Sequence, residues 1–262
     1  GGAGGLVARL QGRGGFSFAS RMDVDKLVLQ RVPTTLFVGG SSQILALAVA
    51  LPVGVYAAMR PYSIFDQIAN TFAFIGFSLP TFFTGLLLIL LFSVKLDWLP
   101  MVYRTDLGSS GWQWWWDQLK QSIMPVVVLG LFQGASLVRY VRAAVLDVVR
   151  LDYVTTARSK GLTPARVIGK HAVRNAALPV LTVLGSLFGS LLTGAVLTET
   201  IFSWPGIGGY ATTSAISLDF PAVMGVTLIA GLAYSVVNLL VENGRVQVHF
   251  GTASVLPESR LA

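Results

Sequence analysis

The chain contains no cysteine, which excludes a disulfide framework and any metal site built on thiolates. Its two histidines, His171 and His249, leave little for a metal centre or for catalysis by imidazole. No G-x-x-x-x-G-K-[ST] phosphate loop occurs, so the chain cannot hydrolyse ATP by that route. Charge is also scarce, because only 12% of the 262 residues are charged, whereas a soluble domain carries about 25%.

Charge is scarce because several long apolar windows contain no acid or base. Acids and bases are absent from residues 32–59, 67–94, 121–138, 175–198 and 220–241. A helix of about 20 apolar residues crosses a bilayer core and satisfies its own backbone hydrogen bonds. Five buried helices of a large soluble core would be the alternative, and five such windows argue against it. The sequence therefore predicts an all-α, polytopic transmembrane helix bundle, with spans at about 34–59, 67–94, 122–147, 177–199 and 220–241.

The position of the basic residues predicts the orientation of these spans. The net charge of +7 could indicate nucleic-acid binding, but eight of the nineteen Lys and Arg residues lie between residues 139 and 174. Under the positive-inside rule this places the loop 150–176 in the cytoplasm. The loop at about 199–220 has no Lys or Arg and is expected outside. The tryptophan-rich connection 95–120 is interpreted as an interfacial anchor.

The two ends of the chain fit this topology less well. The predicted topology places residues 1–31 on the external side of the membrane, although they carry five bases. Either the internal loop overrides the rule, or a first span is missing and residues 1–31 are the tail of a longer external loop; we expect the second. Residues 242–262 form an atypical C-terminal tail, to which we assign no function.

Features inside the spans bear on the class of transporter. Pro80 lies near the middle of the second span and is a candidate hinge, although many proline kinks only shape a helix. No ionisable residue lies mid-span, and no inverted repeat is evident. An ion-coupled secondary carrier, the alternative from a different class, would usually need both. A passive channel or scaffold would need no docking site for an ATPase.

The cytoplasmic loop reads as two short helices. Asp152 is a good N-cap for a helix from Tyr153 to Lys160, and Gly161 suits a left-handed C-terminal residue. Thr163 then caps a second helix with Pro164 at its first position. This second helix is expected to end near Asn175, with Pro179 opening the next span.

We expect Tyr153, Val154 and Leu162 to form an exposed apolar tip with a basic rim. Such a tip indicates either a docking site for another protein or a hairpin lying on anionic lipid. The residues alone leave both interpretations open.

Several motifs resemble one family. D-Y-V-T-T-A-R-S-K-G-L (152–162) and H-A-V-R-N-A-A-L-P-V (171–180) are similar to the coupling loop of ABC-type import permeases of the dipeptide, oligopeptide and nickel branch. The broad Glu-Ala-Ala-x-x-x-Gly signature appears here as Thr155-Thr156-Ala157 before Gly161. R-V-P-T-T-L (31–36), E-T-I-F-S-W-P-G-I-G (199–208) and D-F-P-A-V (219–223) also resemble this branch.

The resemblance implies a non-catalytic permease subunit in the bacterial inner membrane. Its partners would be a second homologous permease, two cytosolic ATPase subunits that use ATP and Mg²⁺, an external substrate-binding protein and the lipid bilayer, with no nucleic acid. No cofactor or metal would be bound by this chain. The substrate would be di- or oligopeptides, with nickel, glutathione or sugars as alternatives.

The resemblance also assigns candidate sites. The expected ATPase-coupling residues are Asp152, Tyr153, Thr155, Ala157, Arg158, Lys160, Gly161, Leu162 and Arg166. A candidate outer gate, or contact for the binding protein, consists of Phe202, Trp204, Pro205 and Gly206. The alternative for these four residues is a tight turn that joins two helices.

Overall fold

The computed structural model describes residues 15–106, 108, 110–163 and 166–253, and helices account for most of them. The helices are α1 Val24–Leu29, α2 Val32–Met59, α3 Ile64–Ser78, α4 Thr81–Leu88, α5 Trp112–Val149, α6 Asp152–Ser159, α7 Arg174–Ile201, α8 Ile207–Ile216 and α9 Phe220–Ala253. Two π-helical segments, Ile89–Lys95 and Val167–Val173, continue α4 and precede α7. One isolated bridge joins Phe16 and Asp23.

Proline has two different effects on these helices. Pro52, Pro125 and Pro179 lie inside α2, α5 and α7, which remain continuous around them. At Pro80 the backbone is extended, with φ −60° and ψ 138°, and the residue caps α4. The second predicted span is thus not one kinked helix but two helices separated at residues 79–80. The steric restriction that proline places on the preceding residue favours such a break.

Several helices are suited to a membrane. Three stretches of the described residues are long and apolar enough to cross one: Val24–Met59, Trp112–Val149 and Phe220–Leu240. The bent pair Ile64–Ser78 and Thr81–Lys95 would make a fourth if it is one span. The predicted window 177–199 lies within α7, some of whose side chains are outside the described part. Each predicted window therefore coincides with helix, while the count of five crossings stays a prediction.

The chain divides into two compact units. The first contains the described residues up to Leu45 and those of Leu79–Phe132 and Ser190–Tyr234. One of its apolar clusters joins Val24 and Val28 of α1 to Ile207 of α8 and Ala222 of α9. Residues 24–29, expected as part of a loop, are therefore helical and packed.

The second unit contains Ala46–Ser78, Gln133–Gly189 and the residues from Ser235 onward. Small residues bring its helices close together: a Cβ on Gly54 would lie 2.8 Å from Val141 Cβ and 2.9 Å from the carbonyl oxygen of Val138. Close approach of backbones is typical of helices packed in membranes. The core continues through Val145 and Ala176, where α5 and α7 flank the loop 150–176.

Candidate functional site

The first helix of the loop, α6, begins one residue earlier than the sequence predicted. The Val154 and Thr155 N–H groups donate to the carbonyl oxygen of Leu151, at 3.0 and 3.3 Å. Asp152 therefore lies in the first turn, where its carboxylate complements the helix dipole, and is not the N-cap. Lys160 lies just beyond the helix.

Gly161 ends this helix in the left-handed conformation, with φ +75°, as predicted. A Cβ on Gly161 would meet nothing within 4 Å. The requirement for glycine is therefore conformational, because L-residues other than Asn and Asp rarely adopt this region.

The apolar side of α6 is covered by its own loop. Val154 and Val167 are fully buried and Ala157 is 6% exposed, with Leu162 partly buried beside them. The prediction of an exposed apolar tip is therefore wrong for Val154 and only partly right for Leu162. The physical reason is the three-residue spacing of Val154 and Ala157, which places both on the face turned to the next helical segment.

The outer side of α6 is mostly polar. Tyr153 is 39% exposed, and its hydroxyl shares a hydrogen bond with the Asn175 side chain. Burial raises the pKa of Tyr153, which keeps the phenol neutral, although the bond to Asn175 acts in the other direction. The other exposed residues in the range 151–166 are Leu151, Asp152, Thr155, Thr156, Ser159, Lys160, Gly161, Thr163 and Arg166. The Arg158 side chain and Pro164 lie outside the described residues.

The second half of the loop is not a separate short helix. The π segment Val167–Val173 runs directly into α7, which passes Asn175 and Pro179 without a break. The expected end of the helix near Asn175 is therefore wrong. As a result, α6 packs against a segment that continues into a long helix.

An ion pair in the same unit was missed by the sequence reasoning. Arg142 Nε and an Nη donate to the two carboxylate oxygens of Asp66, at 2.5 and 2.7 Å. Asp66 also accepts from the Tyr62 N–H and from Asn70 Nδ2. Arg142 had been counted among the bases of the loop, yet it ties α5 to α3. A lone acid one residue before an apolar window was the available signal.

A buried carboxylate organises the predicted outer turn. Thr35 Oγ1 donates to Glu199 Oε1 at 2.7 Å, and the Gly209 N–H donates to Oε2 at 3.0 Å. The Ile207 N–H donates to Thr35 Oγ1 at 2.8 Å. Gly206 lies so close to the Glu199 carboxylate that a Cβ would overlap it. We call Thr35, Glu199, Gly206, Ile207 and Gly209 the Glu199 cluster.

The aromatic residues of the turn are buried around this cluster. Trp204 Nε1 donates to the carbonyl oxygen of Thr34 at 3.1 Å, and Thr34 Oγ1 donates to that of Pro205 at 2.7 Å. Phe202 packs with Ile89; Phe202 and Trp204 are 2% and 5% exposed. The motifs 31–36 and 199–208 thus meet, and neither aromatic side chain is free for a partner.

Residues 50–246 match the sequence profile of the binding-protein-dependent transport system inner membrane component. The chain belongs to this family. It is therefore the permease subunit of a binding-protein-dependent ABC importer, and ATP is hydrolysed by separate subunits. The predicted family, the all-α fold and the permease function are confirmed.

Curated relatives cover most of the chain. It is 41% identical over 248 residues to the di/tripeptide transport system permease protein DppB of Pseudomonas aeruginosa, covering 88% of the chain and 74% of the relative. It is 39% identical over 223 residues to the oligopeptide transport system permease protein AppB of Bacillus subtilis, covering 84% and 69%. The glutathione transport system permease protein GsiC of Escherichia coli K12 is 36% identical over 233 residues, covering 89% and 72%.

Solved structures share the fold. A chain of the MetNI methionine ABC transporter in an inward-facing conformation superposes with a TM-score of 0.64 at 17% identity, covering 85% of this chain and 96% of that one. A chain from the crystal structure of an amino acid ABC transporter with histidines gives 0.60 at 16% identity, covering 85% and 94%. At such identities the likeness concerns the fold alone.

Proposed function

We propose that the exposed side of α6 docks on a cytosolic ATPase subunit and transmits its nucleotide-driven movement to this permease. The observation that carries the proposal is the covered apolar side of α6. A hairpin lying on lipid inserts an apolar face, but Val154 and Ala157 are buried within the loop itself. A polar, rigidly backed helix flanked by Lys160 and Arg166 suits the rim of a protein interface better.

The packing of the second unit supports a transmission route. Val148, at the end of α5, packs against the buried side chains of Val154, Ala157 and Val167. Val167 belongs to the segment that leads into α7. The Asp66–Arg142 ion pair then links α5 to α3. Movement of α6 would therefore act on three helices, and ATP could shift two conformations that differ by a few kcal/mol. The helix break beside Pro80 supports keeping that residue as the candidate hinge.

The remaining partners and the substrate belong to the same proposal. The chain would pair with a second homologous permease and two ATPases that bind ATP and Mg²⁺, and would receive substrate from an external binding protein at the bacterial inner membrane. The substrate class we propose is di- or oligopeptides, because the relatives named for peptides are 39–41% identical and the one named for glutathione is 36% identical. Nickel complexes, glutathione and sugars are alternatives.

The Glu199 cluster would serve the outer side of the pathway. Gly206 belongs to this cluster, and Phe202, Trp204 and Pro205 are held beside it by Ile89 and Thr34, so we propose that the four residues support the outer gate. A contact with the binding protein would fall to the exposed residues beside them, such as Ser203.

The test uses two substitutions at Gly161. Gly161→Val forces a β-branched residue into the left-handed region, which costs about 1–2 kcal/mol or more, whereas Gly161→Asn tolerates that region. We expect the Val variant to reach the membrane but to lose ATPase co-purification and ATP-driven dipeptide uptake, while the Asn variant keeps most of both. Glutathione is included as a competitor to test substrate class. Wild-type uptake by the Val variant would refute the coupling role.

A further inference from the structure

A cleft in the connection between α4 and α5 has the size and lining of a small-molecule site. Its volume is about 450 Å³, within the range of about 300–1,000 Å³ that is common for ligand pockets. All its lining residues belong to the first unit. The topology predicted from charge places this connection on the external side, away from the ATPase-coupling loop.

The cleft contains charges of both signs. Asp97 and Asp117 line it together with Arg104 and Lys120. Within the part of the chain that the structure describes, none of the four lies within ion-pair distance of an opposite charge. Two acids and two bases that share a cleft without pairing leave both signs available to a ligand.

Gln121 supplies an independent observation. This cleft-lining side chain is only 5% exposed. Its Oε1 accepts the Arg104 backbone N–H at 2.5 Å, which fixes the amide in place. Its Nε2 is buried and has no hydrogen-bond partner among the described residues. A buried donor without a partner costs about 1–3 kcal/mol, a cost that a ligand oxygen reaching the amide from the cleft would remove.

We propose that this cleft binds a small zwitterion that carries a primary ammonium and an anionic oxygen group. The Asp97 and Asp117 carboxylates would accept from the ammonium. Arg104, Lys120 and the Gln121 amide would donate to the anionic oxygens. A simple anion would be repelled by the acids and a simple cation by the bases, so the balanced lining favours a ligand with both.

Two sources supply this chemistry. One is the pair of termini of a short peptide, whose apolar side chain would lie against Leu99, Pro100 and Met101 of the lining. The other is the phosphoethanolamine headgroup of a membrane lipid, close to the exposed indole of Trp98. The experiment separates them.

The permease is purified with the subunits that accompany it and placed in nanodiscs of phosphatidylglycerol alone, without ATP. Calorimetry measures binding of the dipeptide Ala-Leu, of N-acetyl-Ala-Leu and of Ala-Leu amide. We expect blocking either terminus to weaken binding about tenfold or more, since each block removes one charge-assisted contact. In a parallel sample with phosphatidylethanolamine, native mass spectrometry measures how many of these lipids stay bound.

Three variants and one control assign the binding to the cleft. Asp117→Asn and Lys120→Gln remove one charge each, and Gln121→Glu keeps the acceptor for Arg104 but removes the free donor. Asp106→Asn makes the same charge change as Asp117→Asn on an exposed residue of the same connection, outside the lining. The proposal is supported if the three variants lose dipeptide binding, or lose retained phosphatidylethanolamine, while the control keeps it. Which of the two is lost identifies the source of the ligand. Absence of both kinds of binding, or equal binding in all variants, overturns it. Because the measurement needs no ATP, its outcome is independent of the coupling proposal.

Discussion

Glu199 illustrates how one buried carboxylate can fix several backbone positions. Its side chain accepts from a threonine hydroxyl and from glycine N–H groups, and these hydrogen bonds offset part of the cost of burying it. The close approach also explains why Gly206 tolerates no side chain. The polar atoms of the cluster depend on one another, and the loss of one should be felt by the rest.

Removing the Thr35 hydroxyl tests this dependence. Thr35→Val keeps the side-chain shape but takes one donor from Glu199 and leaves the Ile207 N–H without its acceptor. We expect the unfolding free energy to fall by about 1–3 kcal/mol, seen as a lower midpoint of thermal unfolding in detergent. Thr200→Val is the matched control, because Thr200 is exposed and, among the described residues, its hydroxyl bonds to the Val196 carbonyl and to Thr212. Equal effects in the two variants would contradict the role given to Thr35.

The ionisation of Asp219, which lies outside the spans, makes the stability of the fold depend on pH. Burial opposes its ionisation, but hydrogen bonds from Ser17 Oγ at 2.5 Å and from the Ala19 and Phe18 N–H groups outweigh burial and hold the pKa of Asp219 below its usual range. A lowered folded-state pKa contributes stability above the unfolded-state pKa of about 4 and loses it as the pH falls through the folded value.

We therefore expect the thermal midpoint of the wild type to fall as the pH is lowered below about 4. In Asp219→Asn the midpoint should be lower at neutral pH, and its fall on acidification should be smaller. The difference between the two curves isolates this residue from the other carboxylates. Parallel curves would show that Asp219 carries no such linkage.

Among the helices, the Asp66–Arg142 ion pair links the first turn of α3 to the later part of α5. The Asp66 carboxylate is 2% exposed and bound in a bidentate manner, so removing Arg142 would leave a buried charge uncompensated. Asp66→Asn instead leaves the Arg142 side chain, which is 21% exposed, without its partner, and should destabilise the protein by about 1–3 kcal/mol.

A double-mutant cycle with Arg142→Gln should show that the two losses are not additive. Asp147→Asn, an exposed acid on the same helix, controls for a simple change of net charge. Thermal unfolding measures stability, and the ratio of ATP hydrolysed to substrate imported measures coupling. Additive losses would show that the two residues do not stabilise the protein as a pair. An unchanged ratio in Asp66→Asn would limit the pair to a local structural role.

At the scale of elements, sequence patterns located the helices but not their faces. Charge-free windows mark apolar helices reliably, since a span must exclude charge over its whole length. The burial of the Val154 side chain could not be predicted from its neighbours in sequence, because it depends on Val167, which lies thirteen positions later in the chain. Asp66 and Glu199 were missed for the same reason: their partners Arg142 and Thr35 are distant in sequence. Gly161 was predicted correctly because a left-handed helix end is determined locally.

For the whole molecule, the coupling proposal and the external placement of the zwitterion cleft depend on the same topology. The ATPase must meet α6 in the cytoplasm, and the cleft must face the opposite side. Both follow from the asymmetry of basic residues between the loop after α5 and the connections at 95–120 and 199–220. An error in orientation would exchange the two compartments, which would defeat the coupling proposal and place the cleft on the cytoplasmic side without changing what it binds.

The absence of cysteine makes this topology directly measurable, because a single introduced thiol is the only one in the chain. Ser159→Cys, Ser110→Cys and Ser217→Cys all fall on exposed positions. We expect a membrane-impermeant maleimide applied to spheroplasts to label the variants at 110 and 217, and to label the one at 159 only after permeabilisation. Labelling of all three before permeabilisation would show that the membrane is leaky, which a cytoplasmic marker enzyme checks. Labelling at 159 alone in sealed spheroplasts would place α6 outside, where no ATPase could reach it.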